Sequence, residues 1–210
     1  MSRHAPRGGR REHPAPSPSR DWLVTAVAAA GFLVAGYLTV TKLMGGSAAF
    51  CTAGGGCDAV QSSRYAMLLA VPVALWGALA YGAVGGLAAA GLTVTRWQGA
   101  FALAAGAVGF SAYLTWISAS VIGALCGYCL VSGALAVMLL AVLVWHRPLG
   151  GRRSPTPTRL VVLGVAAAIG VIVVGAGIYA ANPESSDPAY REALARHLTA
   201  RGLTMYGGFT

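Results

Sequence analysis

Residues 126–145 read CGYCLVSGALAVMLLAVLVW. Two cysteines in C-x-x-C spacing open a run with no charged side chain, about as long as the roughly 20 residues a helix needs to cross a bilayer. Apolar and polar positions do not alternate, and Ala and Leu are prominent, which argues for a helix and against a strand. In lipid, only helices and closed barrels satisfy their own backbone. The stretch therefore predicts a membrane-crossing helix with a pair of thiols at one end.

Working outward, four more apolar segments read the same way, at 22–44, 67–90, 99–122 and 160–181. None of them reads as a strand, and Pro72 is expected to kink the second. Apolar residues make up 56% of the chain and charged residues 10%, against roughly 25% charged in a soluble domain. The fold class expected is an all-α integral membrane protein. Small residues recur at helical spacing, as at Gly31/Ala35 and Ala102/Gly106/Gly109, where they let helix backbones approach closely.

The net charge of +9 does not point to nucleic acid, because no basic run is interleaved with aromatics. Residues 1–20, rich in Arg, Pro, Ser and Gly, have almost nothing to bury and are expected to be disordered. The apolar run that follows exceeds the roughly 7–15 residues of a signal-peptide core and reads as a retained span.

Lys and Arg positions give the orientation. Arg3, Arg7, Arg10, Arg11, Arg20, Arg96, Arg147, Arg152, Arg153 and Arg159 fall on one face if the spans alternate, and that face is expected to be cytoplasmic. The loop after the first span, the C-x-x-C segment and the tail at 182–210 then lie outside, in the cell membrane's extracytoplasmic space. The first loop carries CTAGGGCDAVQSSRYAM at 51–67. Cys51, Cys57, Cys126 and Cys129, the whole cysteine complement, thus face one compartment.

Three readings compete for these thiols. Two structural disulfides are the common fate of extracytoplasmic cysteines, yet a Cys51–Cys57 bridge closes so short a loop that its entropic gain is small. A metal site fits poorly, because five residues separate the first pair and no His lies on the outer loops. The third reading is a redox relay. A cysteine at a helix N-terminus is expected to have its thiolate stabilised, and a glycine triplet leaves Cys57 free to swing to Cys126 while Cys51 meets another protein. Such a relay needs a two-electron sink, for which a quinone held between helices is suited.

CDAVQSSRYAMLLAVPVALWGALAYG, followed by CGYCL about seventy residues later, resembles the vitamin K epoxide reductase family in its bacterial quinone-reducing branch. The resemblance implies a four-helix transmembrane bundle at 21–146 around a quinone (menaquinone or ubiquinone), a cytoplasmic linker at 147–159 and a fifth transmembrane helix at 160–181. It implies that Cys129 faces the quinone, that Cys126 exchanges with Cys57, and that Cys51 receives electrons from a thioredoxin-like partner. Ser63 is expected to hydrogen-bond a quinone oxygen or to cap the short helix beside it. Trp76 and Tyr113 are candidates for the cavity wall. Gly133 stands where the animal enzymes carry tyrosine, which argues against epoxide reduction. The tail resembles the start of a fused thioredoxin-like domain, and the chain ends at Thr210 before any C-x-x-C. The implied activity is a quinone-dependent thiol–disulfide oxidoreductase supporting disulfide formation outside the cytoplasm. The alternatives are a non-catalytic membrane scaffold stapled by two disulfides and, less well supported for want of charge deep inside a span, a small transporter.

Overall fold

The computed structural model describes residues 21–46, 48, 49, 51, 56–147, 156–181, 196–199 and 201. The expectations for 1–20, for most of the linker and for most of the tail lie outside the described residues.

Five long helices dominate. Helix α1 (Trp22–Leu43) starts where the Asp21 carboxylate accepts a hydrogen bond from Val24 N at 3.2 Å, satisfying one of the unpaired N–H groups of the first turn. A short helix α2 (Gly56–Ser62) and a single 3₁₀ turn (Arg64–Ala66) follow the first loop. Helices α3 (Val73–Ala89), α4 (Val94–Ile117), α5 (Gly127–Trp145) and α6 (Pro157–Ala181) complete the set. Helix α4 widens into a π turn at Ser118–Ile122 and stops at Gly123, whose φ of 71° is the left-handed conformation that favours glycine.

Two expectations are corrected between α2 and α3. Residues 67–72 are not the start of a span. They form a two-stranded hairpin, β1 (Met67–Leu68) against β2 (Val71–Pro72), with Met67 opposite Pro72. Its two-residue turn holds Leu69 at φ 56° and Ala70 at φ 61°, the pair of positive angles of a type I′ turn. Pro72 consequently does not kink a helix but stands immediately before α3. There its fixed φ and missing N–H cost nothing, because the first helical N–H groups are unpaired in any case.

Helix α1 packs on α3 and α5, while α4 packs on α3, α5 and α6. Helices α1, α3, α4 and α5 therefore close a four-helix bundle, and α6 lies along α4. Glycine decides how closely α1 and α3 meet. A Cβ on Gly31 would stand 2.4 Å from the Tyr81 ring, so the tyrosine occupies that volume instead. Trp97, fully buried in α4, donates from Nε1 to the Leu143 carbonyl of α5 at 3.0 Å and stacks on Phe101.

The two ends of the bundle differ. At one, Asp21 pairs with His146 at 2.5 Å, tying the start of α1 to the end of α5. There too, Arg96 donates to the Ala90 and Gly91 carbonyls just past α3. At the other end lie α2, the hairpin and the cysteines. Helices α1, α5, α6 and α4 with its π turn are long and apolar enough to cross a membrane, and α3 is a shorter apolar helix.

Candidate functional site

The four cysteines converge, and all are free thiols. Cys126 is the N-cap of α5, its sulfur accepting from Cys129 N at 3.3 Å. C-x-x-C spacing produces this contact directly, because the capping side chain reaches the N–H three residues on. From the opposite side, Cys57 Sγ lies 3.8 Å from Cys126 Sγ. Cys51 stands near Cys57, close enough for each thiol to influence the other. The four cysteines thus gather at one place, with Cys57 against Cys126, Cys129 beside Cys126 and Cys51 near Cys57.

Two features of the backbone hold that series. A Cβ on Gly56 would lie 2.6 Å from the Leu125 carbonyl oxygen. Only glycine allows the residue before Cys57 to rest on the residue before Cys126. The second is Tyr128, between the paired cysteines, which donates to the Ala49 carbonyl at 2.6 Å. Ala49 N in turn donates to the Tyr37 hydroxyl at 2.7 Å, and the two tyrosine rings pack at 5.9 Å. Cys51 follows on that anchored strand, its N–H donating to the Ala48 carbonyl. Tyr128 therefore secures the Cys51 loop to the helix that carries the other pair.

The N-terminal position of Cys126 does not make it an easy thiolate. Its hydrogen bond with the Cys129 side chain, and then burial to 2% exposure, push its pKa up, outweighing the Cys129 N–H that stabilises the anion. Burial and the neighbouring Cys57 thiol push Cys51 up to about 12.

Beside these sulfurs a cavity of about 470 Å³ enters the bundle. Cys126, Cys129 and Trp76 line it, as do Lys42 from α1 and Tyr81 from α3. Lys42 donates from Nζ to the Gln61 carbonyl, joining α1 to α2, and it is the single charged residue of the wall among the described residues. A second cavity of about 420 Å³ lies over Cys51, Cys57 and Asp58, and Lys42 borders both. Neither Ser63 nor Tyr113 lines the larger cavity. Ser63 Oγ donates to the Val60 carbonyl at 2.7 Å; it neither faces the cavity nor caps the adjacent turn with its side chain. Tyr113 packs against Phe110.

Sequence reasoning overlooked several residues of the wall. Ser111, Thr115 and Ser118 bring hydroxyl-bearing side chains to it from one face of α4, and their i, i+4, i+7 spacing on an apolar helix was a readable signal. Tyr81 donates to the Ser132 carbonyl at 2.5 Å, one turn beyond Cys129.

Fold and site together define a multi-pass helical membrane protein with a cluster of thiols at the mouth of an apolar cavity. The model of the Vitamin K epoxide reductase family matches residues 22–145. Thiol-disulfide oxidoreductase LTO1 of Arabidopsis thaliana is 32% identical over 204 residues, covering 82% of this chain and 52% of that protein. The chain belongs to the vitamin K epoxide reductase family, and it spans about half the length of this curated relative.

Proposed function

We propose that the chain is a membrane thiol–disulfide oxidoreductase that takes electrons from a thioredoxin-like dithiol partner, separate or fused, and delivers them to a quinone, menaquinone or ubiquinone. The observation that carries this reading is the contact of Cys57 Sγ with Cys126 Sγ, beside Cys129 at the mouth of an apolar cavity.

The residues supply each step. With both pairs oxidised, a partner thiolate attacks Cys51 and releases Cys57 as a thiolate; the second partner thiol then resolves the mixed disulfide at Cys51. Cys57 needs to move little to attack Cys126, 3.8 Å away, which opens the Cys126–Cys129 bond and leaves Cys129 as thiolate. Cys51 resolves the Cys57–Cys126 bond, leaving the outer pair oxidised and the inner pair reduced. Two electrons and two protons have then moved from the partner to Cys126 and Cys129.

The cavity fits a quinone. Its volume lies in the range, about 300–1,000 Å³, of small-molecule sites, and its wall is mainly apolar with a few hydroxyls and one ammonium near the sulfurs. A bound quinone supplies a two-electron, two-proton sink, leaving as quinol while Cys126–Cys129 returns to the disulfide. Cys129 lines the cavity together with Cys126 and is the thiol we assign to the quinone, and Lys42 provides positive charge at the same mouth. The driving term is potential: dithiols poise at about −120 to −270 mV, and each 30 mV of gap is worth about 1.4 kcal/mol for two electrons.

The charge distribution supports a cytoplasmic face at the Asp21–His146 end. The thiol end then lies outside the cell membrane, where disulfides form and persist. The matching test is steady-state quinone reduction by the purified chain with a reduced thioredoxin-like protein. Cys129→Ala is expected to abolish turnover, and Cys51→Ala to lose partner-driven turnover while retaining that driven by dithiothreitol. Equal, mild losses at all four cysteines would instead indicate a scaffold with structural disulfides.

A further inference from the structure

The larger cavity is not a compact chamber. Its wall on α4 runs from Ala102 to Ser118, about 24 Å at a rise of 1.5 Å per residue. Polarity changes along that length. Toward the cysteines the wall carries Ser111, Thr115 and Ser118, with Lys42 and Gln61 opposite. Toward Ala102 it is entirely apolar on α4, and Val171, Val174 and Gly175 of α6 face the same space.

Helix α6 lies beyond the stretch the family model matches, yet its placement is specific. A Cβ on Gly109 would meet Ala168 at 2.7 Å, and one on Gly175 would meet the Phe110 ring at 2.8 Å. Tyr179 donates to the Tyr65 carbonyl at 2.9 Å and packs edge-on against its ring at 5.1 Å, fastening α6 to the turn before the hairpin. Val171 and Val174 remain partly exposed, so the slot is open to the side where lipid would be.

We propose that the inner, apolar half of this slot, walled by α4 and α6, holds the polyprenyl tail of the quinone, so that α6 sets preference for tailed quinones. The inference rests on the quinone reading above for the identity of the head group. A ring alone cannot contact both the sulfurs and Ala102, whereas a ring with an apolar tail matches the polarity change in order and in length.

The test uses the full chain in phosphatidylcholine nanodiscs and a prenylated quinone carrying a diazirine near the far end of its tail. Photolysis and peptide mapping are expected to place the label within 160–181, displaced by unlabelled prenylated quinone and not by a tail-less quinone. Val171→Phe/Val174→Phe is expected to raise the ratio of KM for prenylated over tail-less quinone at least tenfold. Label confined to other helices, label displaced only by added phospholipid, or an unchanged KM ratio would overturn the proposal. Displaceable label on α6 without turnover of any quinone would sustain the tail site and refute the reaction; turnover without such label would do the reverse.

Discussion

Cys57 Sγ lies 3.8 Å from Cys126 Sγ, and the two residues are 69 positions apart in the chain. A disulfide needs about 2.04 Å, so bonding asks for a displacement smaller than a rotamer change. Double replacement of Cys51 and Cys129 by Ala is expected to yield a spontaneous Cys57–Cys126 bond on mild oxidation. Non-reducing peptide mapping reads the yield, and less than about a tenth under conditions that oxidise the wild type completely would show that the pair does not exchange.

Gly56 sets that distance through backbone, not side chain. In Gly56→Ala the new methyl meets the Leu125 carbonyl at 2.6 Å, and neither group can rotate away. Crowding of this kind costs about 1–3 kcal/mol, relieved most simply by lifting α2 off the start of α5. The Cys57–Cys126 bond is expected to form at least tenfold more slowly in this variant. Thermal unfolding of the bundle should change little, because α2 contributes no buried side chain to it.

Cys51 titrates late. Its pKa is pushed up to about 12, chiefly by burial and then by the Cys57 thiol. A raised thiol pKa means the neutral form persists to higher pH, so the thiolate fraction near neutrality falls below that of a free cysteine, whose pKa is about 8.5. Iodoacetamide labelling of Cys51 in the reduced chain is expected to climb about tenfold per pH unit from 7 to 10. A plateau near pH 8.5 would contradict the environment described.

The hairpin turn carries strain that substitution can release. Leu69 and Ala70 both hold positive φ, which costs roughly 1–2 kcal/mol per residue for side chains with a Cβ of this kind. Leu69→Asn/Ala70→Gly, the pair favoured in type I′ turns, is expected to raise the unfolding midpoint in detergent. A lower midpoint would show that Leu69, 59% exposed, stabilises the protein by another contact.

The spans were legible because apolar length is a one-dimensional property, and the C-x-x-C announced the N-cap of α5. The hairpin was not, because its turn lacks the Asn or Gly that normally signals it. Tyr113 and Tyr81 look alike in sequence, both aromatic on apolar helices. What separates them is Gly31, fifty residues upstream of Tyr81, whose missing side chain admits that ring to the bundle. Ser63 has the chemistry to bond a quinone oxygen, but its hydroxyl donates to the Val60 carbonyl. The place of α6 in the cavity wall had no signal either, since a residue lining a slot and one facing lipid are equally apolar.

Helix α3 has 17 residues, a length of about 25 Å, whereas the hydrocarbon layer of a bilayer is about 30 Å thick. The hairpin before it cannot make up the difference as helix. A span this short is met by local thinning of the bilayer, by flanking side chains reaching to the interface, or by association with another span. Lipid chain length thereby becomes a variable expected to act on the protein from outside the polypeptide.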